Sequence, residues 1–481
     1  MTARSFVFLG LGLLFSQPSC SSSSATSSDS AGAAGAASTR GGSTNGGSAT
    51  TSAGASGGGG FAGTNSNAGG GNVGSGGASA GSAGASGSAG NGGAGNGGAG
   101  ASGAAGNAGS AGATQTDAWV GTWSASPQSG GDSFQDKTLR QIVHTSISGT
   151  SARIQLSNAF GNKSIDVKDV HIARRTSGSS IDPATDRVLK FGGQTSFTIP
   201  AGDVALSDAV DFAVPALSDV SVSFYLADSS GANTYHQQGT QTNYVASGDV
   251  SGNADLSNTS NIGSYYLLAN LDVKNTGALG AVVTLGASIT DGVASSSDSN
   301  RRWPNDLAVR LNMANLSIGV LNQGISGNKL LADGAGQSAI NRFTRDVIDQ
   351  PDVKWVIFSD DPINDLGAGA GRPSGDQLIA GLKQLVAAAH QAKLKYLCST
   401  LTPFEGSGGW SADGETSRGQ INAFIRGADS GCDGIVDQDT ATHDPAHPTQ
   451  YLPAYDAGDH LHPNEAGLQA IANAVDLSLF K

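Results

Sequence analysis

One tract near the N-terminus limits how much of this 481-residue chain can fold. Between Ser21 and Thr116 the sequence consists mostly of Gly, Ala, Ser, Thr and Asn, and it carries 32 of the chain's 72 glycines but only two charged residues, Asp29 and Arg40. Such a composition cannot bury enough apolar surface to offset the conformational entropy lost on folding. We therefore predict a disordered linker over residues 21–117 and a folded region that begins at residue 118.

The rest of the chain has the composition of a globular protein. The 365 residues from Asp117 to Lys481 hold 62 of the 65 charged side chains, which leaves enough chain for two domains with cores of their own. The formal net charge is −13, and no run of Lys or Arg occurs anywhere. A nucleic-acid-binding protein needs a basic face to replace the counterions of phosphates, so this class of partner is excluded.

The first 20 residues have the pattern of an export signal. Arg4 precedes ten apolar or glycine residues, Phe6 to Phe15, and this run is too short for a membrane-spanning helix. Cys20 follows directly and resembles the lipidated cysteine of a bacterial lipoprotein, whereas the alternative is plain secretion with cleavage nearby. In both cases we expect the protein to be exported, either lipid-anchored in the cell envelope or secreted, and to meet a membrane only through such an anchor.

The other two cysteines lie at the ends of predicted strands. Cys398 falls within Lys395–Leu401, and Cys432 immediately precedes Asp433–Asp437. In an oxidising compartment the two could form a disulfide, and the alternative is a pair of buried thiols. Their spacing does not suggest a cysteine-type zinc site.

Residues 118–274 have the pattern of antiparallel strands. Short segments alternate between apolar and polar residues and are interrupted by Gly and Pro, which predicts an all-β, jelly-roll-like sandwich. The expected strands are Leu139–Ile147, Ser151–Asn158, Val167–Arg175, Thr195–Ile199, Val220–Ala227 and Thr242–Ala246.

Residues 275–481 have a different pattern, in which buried-looking strands alternate with helices. Asp376–Ala392 and Pro463–Leu479 each carry apolar residues at helical spacing on one face. This alternation predicts a parallel sheet that is covered by helices on both sides. The expected strands are Ala281–Leu285, Leu316–Leu321, Val353–Phe358, Leu394–Leu401 and Gly434–Val436.

Turns of small and polar residues follow three of these strands, and a fourth precedes the last helix. Because ligands of such folds bind beyond the carboxyl ends of the strands, these turns are where chemistry is expected. The turns are Gly286–Gly292, Asn322–Asn328, Asp360–Asp365 and Asp459–Pro463.

Together the turns supply the groups that acyl transfer requires. The hydroxyl of Ser288 is a poor nucleophile until a base takes its proton, and His462 can be that base if Asp459 holds its other ring nitrogen. Pro463 suits the first position of the last helix and would set the direction from which His462 enters. The oxyanion of the tetrahedral intermediate needs preorganised donors, and the candidates are the N–H groups of Ser288 and Gly327 and the Asn364 amide.

These four segments, in this order, resemble the sequence blocks of the SGNH hydrolases, also called the GDSL esterase/lipase family. Ser288 matches the nucleophile of the first block, Gly327 the glycine of the second, Asn364 the Asn of the G-x-N-D block, and Asp459 and His462 the closing D-x-x-H. Thr138–His144 and Leu156–Gly161 are similar to the β-domain of secreted bacterial members, so the resemblance covers nearly all of residues 118–481.

The resemblance implies a fold and a function. The expected fold is a three-layer α/β/α, flavodoxin-like SGNH domain with a five-stranded parallel sheet, preceded by the β-sandwich. The expected function is a serine esterase that removes short acyl groups, often acetyl, from small esters or acylated polysaccharides, without a metal or other cofactor. The alternative is a catalytically weakened, carbohydrate-binding surface lipoprotein on the same fold, and acyl transfer to a sugar is a third possibility.

Two residues depart from the family pattern. Ala287 replaces the Asp of G-D-S, which removes a possible anchor for the nucleophile turn, and Pro362 replaces the Gly of G-x-N-D. Because a residue before proline is driven toward extended geometry, we expect Pro362 to push Asp361 out of a helical conformation and to displace Asn364.

The remaining polar residues near these blocks are expected to be structural. We assign His460 to packing, and Asp291 and Asp365 to anchoring turns. His443 and His447 are four residues apart, but Pro445 stands between them and disfavours a helix, so we expect a loop there and no metal site.

Overall fold

The sequence patterns translate into 23 strands and eight α-helices in the computed structural model, which describes residues 119–367, 369 and 371–481. The strands are β1 Trp119–Ser124, β2 Gln128–Ser129, β3 Lys137–His144, β4 Gly149–Ser157, β5 Ile165–Ser177, β6 Ser180–Ile181, β7 Arg187–Leu189, β8 Ser196–Ile199, β9 Val204–Leu206, β10 Val210–Val214, β11 Asp219–Leu226, β12 Thr234–His236, β13 Asn243–Ser247, β14 Ser260–Ile262, β15 Tyr265–Tyr266, β16 Leu268–Lys274, β17 Gly280–Gly286, β18 Ile318–Gly324, β19 Val353–Phe358, β20 Lys395–Ser399, β21 Gly434–Val436, β22 His443–Asp444 and β23 His447–Tyr451. The helices are α1 Ser288–Asp291, α2 Trp303–Met313, α3 Ala339–Phe343, α4 Asp361–Asp365, α5 Gly375–Gln391, α6 Ala412–Arg426, α7 Gln438–Thr442 and α8 Glu465–Ala474.

The antiparallel strands form the predicted β-sandwich. One sheet has the order β1-β16-β4-β10, with β9 added beside β4. The other has the order β14-β13-β3-β11-β5-β6, with β7 and β8 beside β5. Apolar side chains such as Leu139, Ile154 and Val222 are fully buried. The sandwich predicted from the alternation of apolar and polar residues is therefore confirmed, and one face of each sheet supplies the core.

The five predicted parallel strands form one sheet in the order β18-β17-β19-β20-β21. In the centre, Val283 of β17 pairs with Leu321 of β18 on one side and with Val356 of β19 on the other. The consecutive residues Ala281, Val282 and Val283 are all fully buried, so both faces of the sheet are covered. This arrangement confirms the predicted α/β class and brings the carboxyl ends of the five strands to one edge.

The β-sandwich packs against β18, the edge strand of the parallel sheet. Gly319 of β18 has no space for a side chain, because a Cβ there would overlap the Gly121 carbonyl oxygen of β1. The outward N–H of Val320 donates to Ser146 Oγ at 2.9 Å. The described residues belong to one compact unit, and the predicted boundary at residues 274/275 falls in the connection between β16 and β17.

Helix α5 lies within one residue of its predicted bounds, but the last helix differs from the prediction at both ends. It begins at Glu465 rather than Pro463, because the Asn464 side chain accepts hydrogen bonds from Ala466 N and Gly467 N and thereby caps the helix. It ends at Ala474, and Leu477–Phe480 forms a separate 3-10 turn. Pro463 instead pairs with Asp456 in an isolated bridge, which places it in the loop that carries His462.

Cys398 and Cys432 form a disulfide bond in the structure. Cys398 lies in β20 and Cys432 lies just before β21, the next strand of the sheet. Since neighbouring strands bring their residues close together, the two Cα atoms are 5.8 Å apart, a usual separation for a disulfide.

The predicted export signal with Cys20 and the predicted linker lie outside the described residues, so both stay predictions. Within the part of the chain that the structure describes, no helix combines the length and the apolar character needed to cross a bilayer.

Candidate active site

The nucleophile turn follows β17, the strand between the edge strand β18 and β19. The strand ends at Gly286, Ala287 caps the next helix, and Ser288 is the first residue of α1. Ser288 is only 8% exposed, so it is almost completely buried at the carboxyl edge of the sheet. The sharp strand-to-helix turn therefore places a serine where the family resemblance predicts the nucleophile.

His462 connects Ser288 with Asp459. Its Nε2 lies 2.8 Å from Ser288 Oγ, and its Nδ1 lies 2.6 Å from Asp459 Oδ2. A carboxylate at Nδ1 favours the tautomer with the proton on Nδ1, which leaves Nε2 to accept the hydroxyl proton. The structure thus brings the three predicted residues into one hydrogen-bonded chain.

The surroundings of Asp459 favour its ionised form. Burial acts to raise its pKa, but hydrogen bonds from the ring and backbone N–H of His462 and from Leu461 N–H together hold the pKa below the ordinary value. The two backbone bonds, 2.9 and 3.0 Å long, end on Oδ1 and leave Oδ2 to the imidazole. The loop therefore fixes the carboxylate in the orientation that a base-supporting residue needs.

The three predicted oxyanion donors lie on three segments: Ser288 begins α1, Gly327 lies in the turn after β18, and Asn364 lies in α4. Among the described residues, neither the Ser288 N–H nor the Gly327 N–H donates to another protein group. Gly327 has φ +79°, a conformation that glycine adopts without strain. The Asn364 amide donates to the Asn328 carbonyl at 2.8 Å, next to Gly327, and this bond uses only one of its two N–H groups.

Asp291 and Asp365 anchor the turn around Gly327, as predicted. Asp291 Oδ2 accepts from Ser326 N and Ser326 Oγ at 2.8 and 2.7 Å, immediately before Gly327. Asp365 Oδ2 accepts from Leu330 N at 2.7 Å, and burial raises the pKa of Asp365 to about 6. One carboxylate from α1 and one from α4 therefore hold the glycine turn from its two ends.

His236 of β12 reaches the same region, although no sequence pattern points to it. Its Nε2 lies 3.0 Å from Asp291 Oδ1, and its Nδ1 lies 3.0 Å from the Ser126 carbonyl oxygen. Both side chains of the His236–Asp291 pair are almost completely buried. No motif surrounds His236, so only the packing of the sandwich against the parallel sheet could reveal this contact.

The expected effect of Pro362 is wrong. Asp361 is the first residue of helix α4, and Pro362 follows it in the first turn, where the N–H that proline lacks would have no partner within the helix. Arg342 and Asn328 hold the buried Asp361 carboxylate through bonds of 3.3 and 2.7 Å, although burial raises the pKa of Asp361 overall. These bonds outweigh the local preference of a residue before proline, and Asn364 stays beside the glycine turn.

The turn at Ala287 is held by a carboxylate from another segment. Asp360, at the end of β19, accepts hydrogen bonds from the backbone N–H groups of Ala287 and Ile289. Asp360 lies in the predicted Asp360–Asp365 turn, but no sequence motif assigns it a role. The sequence does contain a signal for this role. Position 287, after β17, lacks the Asp of the family pattern, and Asp360 supplies an additional carboxylate after the neighbouring strand β19.

The other histidines near the site have structural partners. His460 Nδ1 lies 2.5 Å from Asp456 Oδ2, and its side chain is 55% exposed. His447 Nδ1 lies 3.3 Å from Asp444 Oδ2 within the hairpin of β22 and β23. In the part of the chain that the structure describes, no three His, Cys, Asp or Glu side chains are grouped as a metal ion would require.

Comparison with protein families gives one match that covers the site. Residues 284–470 match the family model of the GDSL-like Lipase/Acylhydrolase family. These residues form a domain that belongs to the GDSL-like lipase/acylhydrolase family. This domain is therefore a carboxylic ester hydrolase. The comparison with curated proteins found no match.

Several solved structures are similar to this chain. Axe2, an acetylxylan esterase from Geobacillus stearothermophilus, is 24% identical with a TM-score of 0.33, and the match covers 41% of this chain and 93% of Axe2. A GDSL-like lipase from Bacteroides thetaiotaomicron is 18% identical with a TM-score of 0.33, and the match covers 41% of this chain and 87% of the lipase. An alpha/beta hydrolase enzyme from the metagenome of Lake Arreo is 23% identical with a TM-score of 0.32, over 42% and 95% of the two chains.

The buried His236–Asp291 pair predicts a pH dependence of stability. Burial acts to lower the pKa of His236, but Asp291 and the Ser126 carbonyl raise it by more, so the pKa lies above its ordinary value. Between the ordinary value and the raised one, the folded protein holds more protons than the unfolded chain, and the free energy of unfolding falls as pH rises. The contribution is fully present below about pH 6.5 and is lost as the pH passes the raised pKa.

Urea denaturation at pH 6, 7, 8 and 9 measures this effect. We expect the difference in unfolding free energy between wild type and His236→Gln to shrink as pH rises. His460→Gln, which removes the exposed His460–Asp456 pair, is the matched control, and its unfolding free energy should stay close to that of the wild type because an exposed pair contributes little to stability. A His236→Gln difference that stays constant from pH 6 to 9 would contradict the prediction.

Proposed function

We propose that this protein is an exported serine esterase that hydrolyses short acyl esters, in particular acetyl groups on carbohydrate. Ser288 is the nucleophile, His462 the general base and acid, and Asp459 the residue that orients His462. The observation that carries the proposal is the hydrogen-bonded chain from Ser288 Oγ through the imidazole to Asp459 Oδ2.

Acylation begins when Ser288 Oγ attacks the acyl carbonyl carbon and its proton passes to His462 Nε2. The carbonyl oxygen becomes an oxyanion, which accepts hydrogen bonds from the N–H groups of Ser288 and Gly327 and from the Asn364 amide. Such donors stabilise the transition state more than the ground state because the negative charge develops there. The C–O bond to the alcohol then breaks, and the alcohol leaves with the proton from His462.

Deacylation repeats these steps with water as the nucleophile. The water attacks the ester carbon of acyl-Ser288 and gives a proton to His462 Nε2. When the second tetrahedral intermediate collapses, Ser288 Oγ takes this proton back and the carboxylic acid leaves. The ionised Asp459 stabilises the imidazolium in both halves of the reaction and is itself not protonated.

Hydrolysis of p-nitrophenyl acetate tests the assignment. We expect Ser288→Ala and His462→Ala each to lower kcat/KM about 10⁴-fold, because either change removes proton transfer and bond formation at the same step. His460→Ala is the matched control, since His460 lies two residues from His462 and pairs with Asp456 but has no contact with Ser288. This variant should retain the activity of the wild type. Equal rates of wild type and Ser288→Ala would rule the proposed function out.

A polar cavity, one of whose lining residues is Ser297, is our candidate site for a neutral sugar as the alcohol part of the substrate. The cavity, of about 320 Å³, lies where residues 237–242 and 261–264 of the sandwich meet Ser297, on the segment that follows the nucleophile helix. None of the residues that line it is charged. The side-chain amides of Gln237, Gln238 and Asn261 make no hydrogen bonds to the described protein groups, so they are free to bind hydroxyl groups.

Substitution of these amides separates sugar binding from chemistry. For the double variant Gln237→Ala, Asn261→Ala we expect the KM of acetylated xylo-oligosaccharides to rise about 30-fold, since two hydrogen bonds of about 1 kcal/mol each are lost. The kcat/KM of p-nitrophenyl acetate should stay within twofold. Gln391→Ala, at the exposed end of α5, is the control. An unchanged KM for the oligosaccharides would show that the cavity does not bind the substrate.

The export part of the proposal is supported by the residue pattern before Cys20 and by the disulfide between Cys398 and Cys432. Disulfides persist in oxidising compartments and are uncommon in the cytosol.

Metabolic labelling with an alkyne fatty acid tests lipidation of the full chain in a bacterial host. We expect label and membrane association in the wild type and neither in Cys20→Ser. An unlabelled wild type that is cleaved near residue 20 would indicate plain secretion. Intact protein that stays in the cytoplasm would contradict export.

A further inference from the structure

Both carboxylate oxygens of Asp360 accept hydrogen bonds from the nucleophile turn. Its Oδ1 accepts from Ala287 N at 3.0 Å and from Thr290 Oγ1 at 2.6 Å, and its Oδ2 accepts from Ile289 N at 2.8 Å. The residue is 2% exposed. These three bonds satisfy a buried carboxylate that has no Lys or Arg partner among the described residues.

The pattern of these bonds is specific for Ser288. The carboxylate binds the backbone N–H on each side of the nucleophile but not the N–H of Ser288 itself. The peptide plane before Ala287 and the one after Ser288 are therefore held. The plane between them carries the Ser288 N–H, which has no acceptor among the described residues and is available to an oxyanion. A helix cap would bind the N–H groups of its own first turn, whereas Asp360 lies in the turn between β19 and α4.

The strand register explains how Asp360 reaches the turn. Leu285 of β17 pairs with Phe358 of the parallel neighbour β19. Ala287 and Asp360 each lie two residues beyond this pair, so they occupy equivalent positions at the ends of adjacent strands. A carboxylate at either position can lie beside the same turn.

We propose that Asp360 is a positioning residue for the nucleophile and for the Ser288 oxyanion donor, and that it supplies from β19 the carboxylate that the G-D-S pattern carries at position 287. This inference rests on the proposed function, because it concerns the geometry of the same serine. It implies that the nucleophile turn requires a carboxylate at one of these two positions, 287 or 360.

The test compares three variants on p-nitrophenyl acetate. Asp360→Asn keeps the shape but turns one acceptor into a donor that faces a backbone N–H. We expect kcat to fall at least tenfold while KM stays within about twofold. Inhibition by phenylboronic acid, whose serine adduct places an oxygen among the oxyanion donors, should weaken to a similar extent. In the double variant Ala287→Asp, Asp360→Ala the carboxylate returns to position 287, and kcat should exceed that of Asp360→Ala at least threefold.

Asp272→Asn is the matched control. Asp272 is another almost completely buried aspartate, but it lies in the sandwich and pairs with Arg153 at 2.9 Å. This variant should keep the kcat of the wild type even if its thermal unfolding midpoint shifts. If Asp360→Asn does not fold, Thr290→Val removes one of the three bonds and should lower kcat two- to fivefold.

The outcomes separate this inference from the proposed function. If Asp360→Asn retains kcat within twofold while Ser288→Ala is inactive, the positioning role is wrong and the esterase assignment stands. A double variant no more active than Asp360→Ala would show that the carboxylate is not exchangeable between the two strands. If Ser288→Ala retains activity, the proposed function itself fails.

Discussion

The hydrogen bond between Ser288 Oγ and His462 Nε2 joins two segments that are 174 residues apart in the sequence. Neither segment could hold this geometry alone, because one is a turn after β17 and the other a loop before α8. The parallel sheet makes the contact possible, since its strands all end at one edge and the connecting helices return the chain there. The buried apolar strands thus determine where the reactive groups meet.

Four buried aspartates then fix the loops at this edge. Asp291 and Asp365 hold the segment around Gly327, Asp361 ties α4 to that segment through Asn328, and Asp360 holds the nucleophile turn. Each accepts hydrogen bonds from backbone or side-chain donors of a different loop, so each links two segments rather than one. The site is therefore preorganised by carboxylates that take no part in the chemistry.

The comparison of sequence with structure separates two kinds of information. Val353–Phe358 was predicted with its observed bounds, because a continuous apolar run between polar turns has few other solutions. Ser288, His462 and Asp459 could be named because their residue types and order match one chemistry. His236 and Asp360 were missed because their partners lie on other strands and no local pattern identifies them. The predicted start of α8 and the predicted conformation of Asp361 were wrong. In both places, hydrogen bonds to a side chain, that of Asn464 or that of Asp361, outweighed the local backbone preference.

The contact between the sandwich and β18 has a consequence for how the protein can be divided. An uncovered edge strand exposes N–H and C=O groups and offers a template on which another chain can pair. A hydrolase domain cut free at residue 275 would lose Ser146 from Val320 N–H and would present β18 to solvent. The sandwich thus protects the catalytic sheet against self-association, and truncation at this boundary would yield an aggregation-prone fragment rather than a minimal esterase.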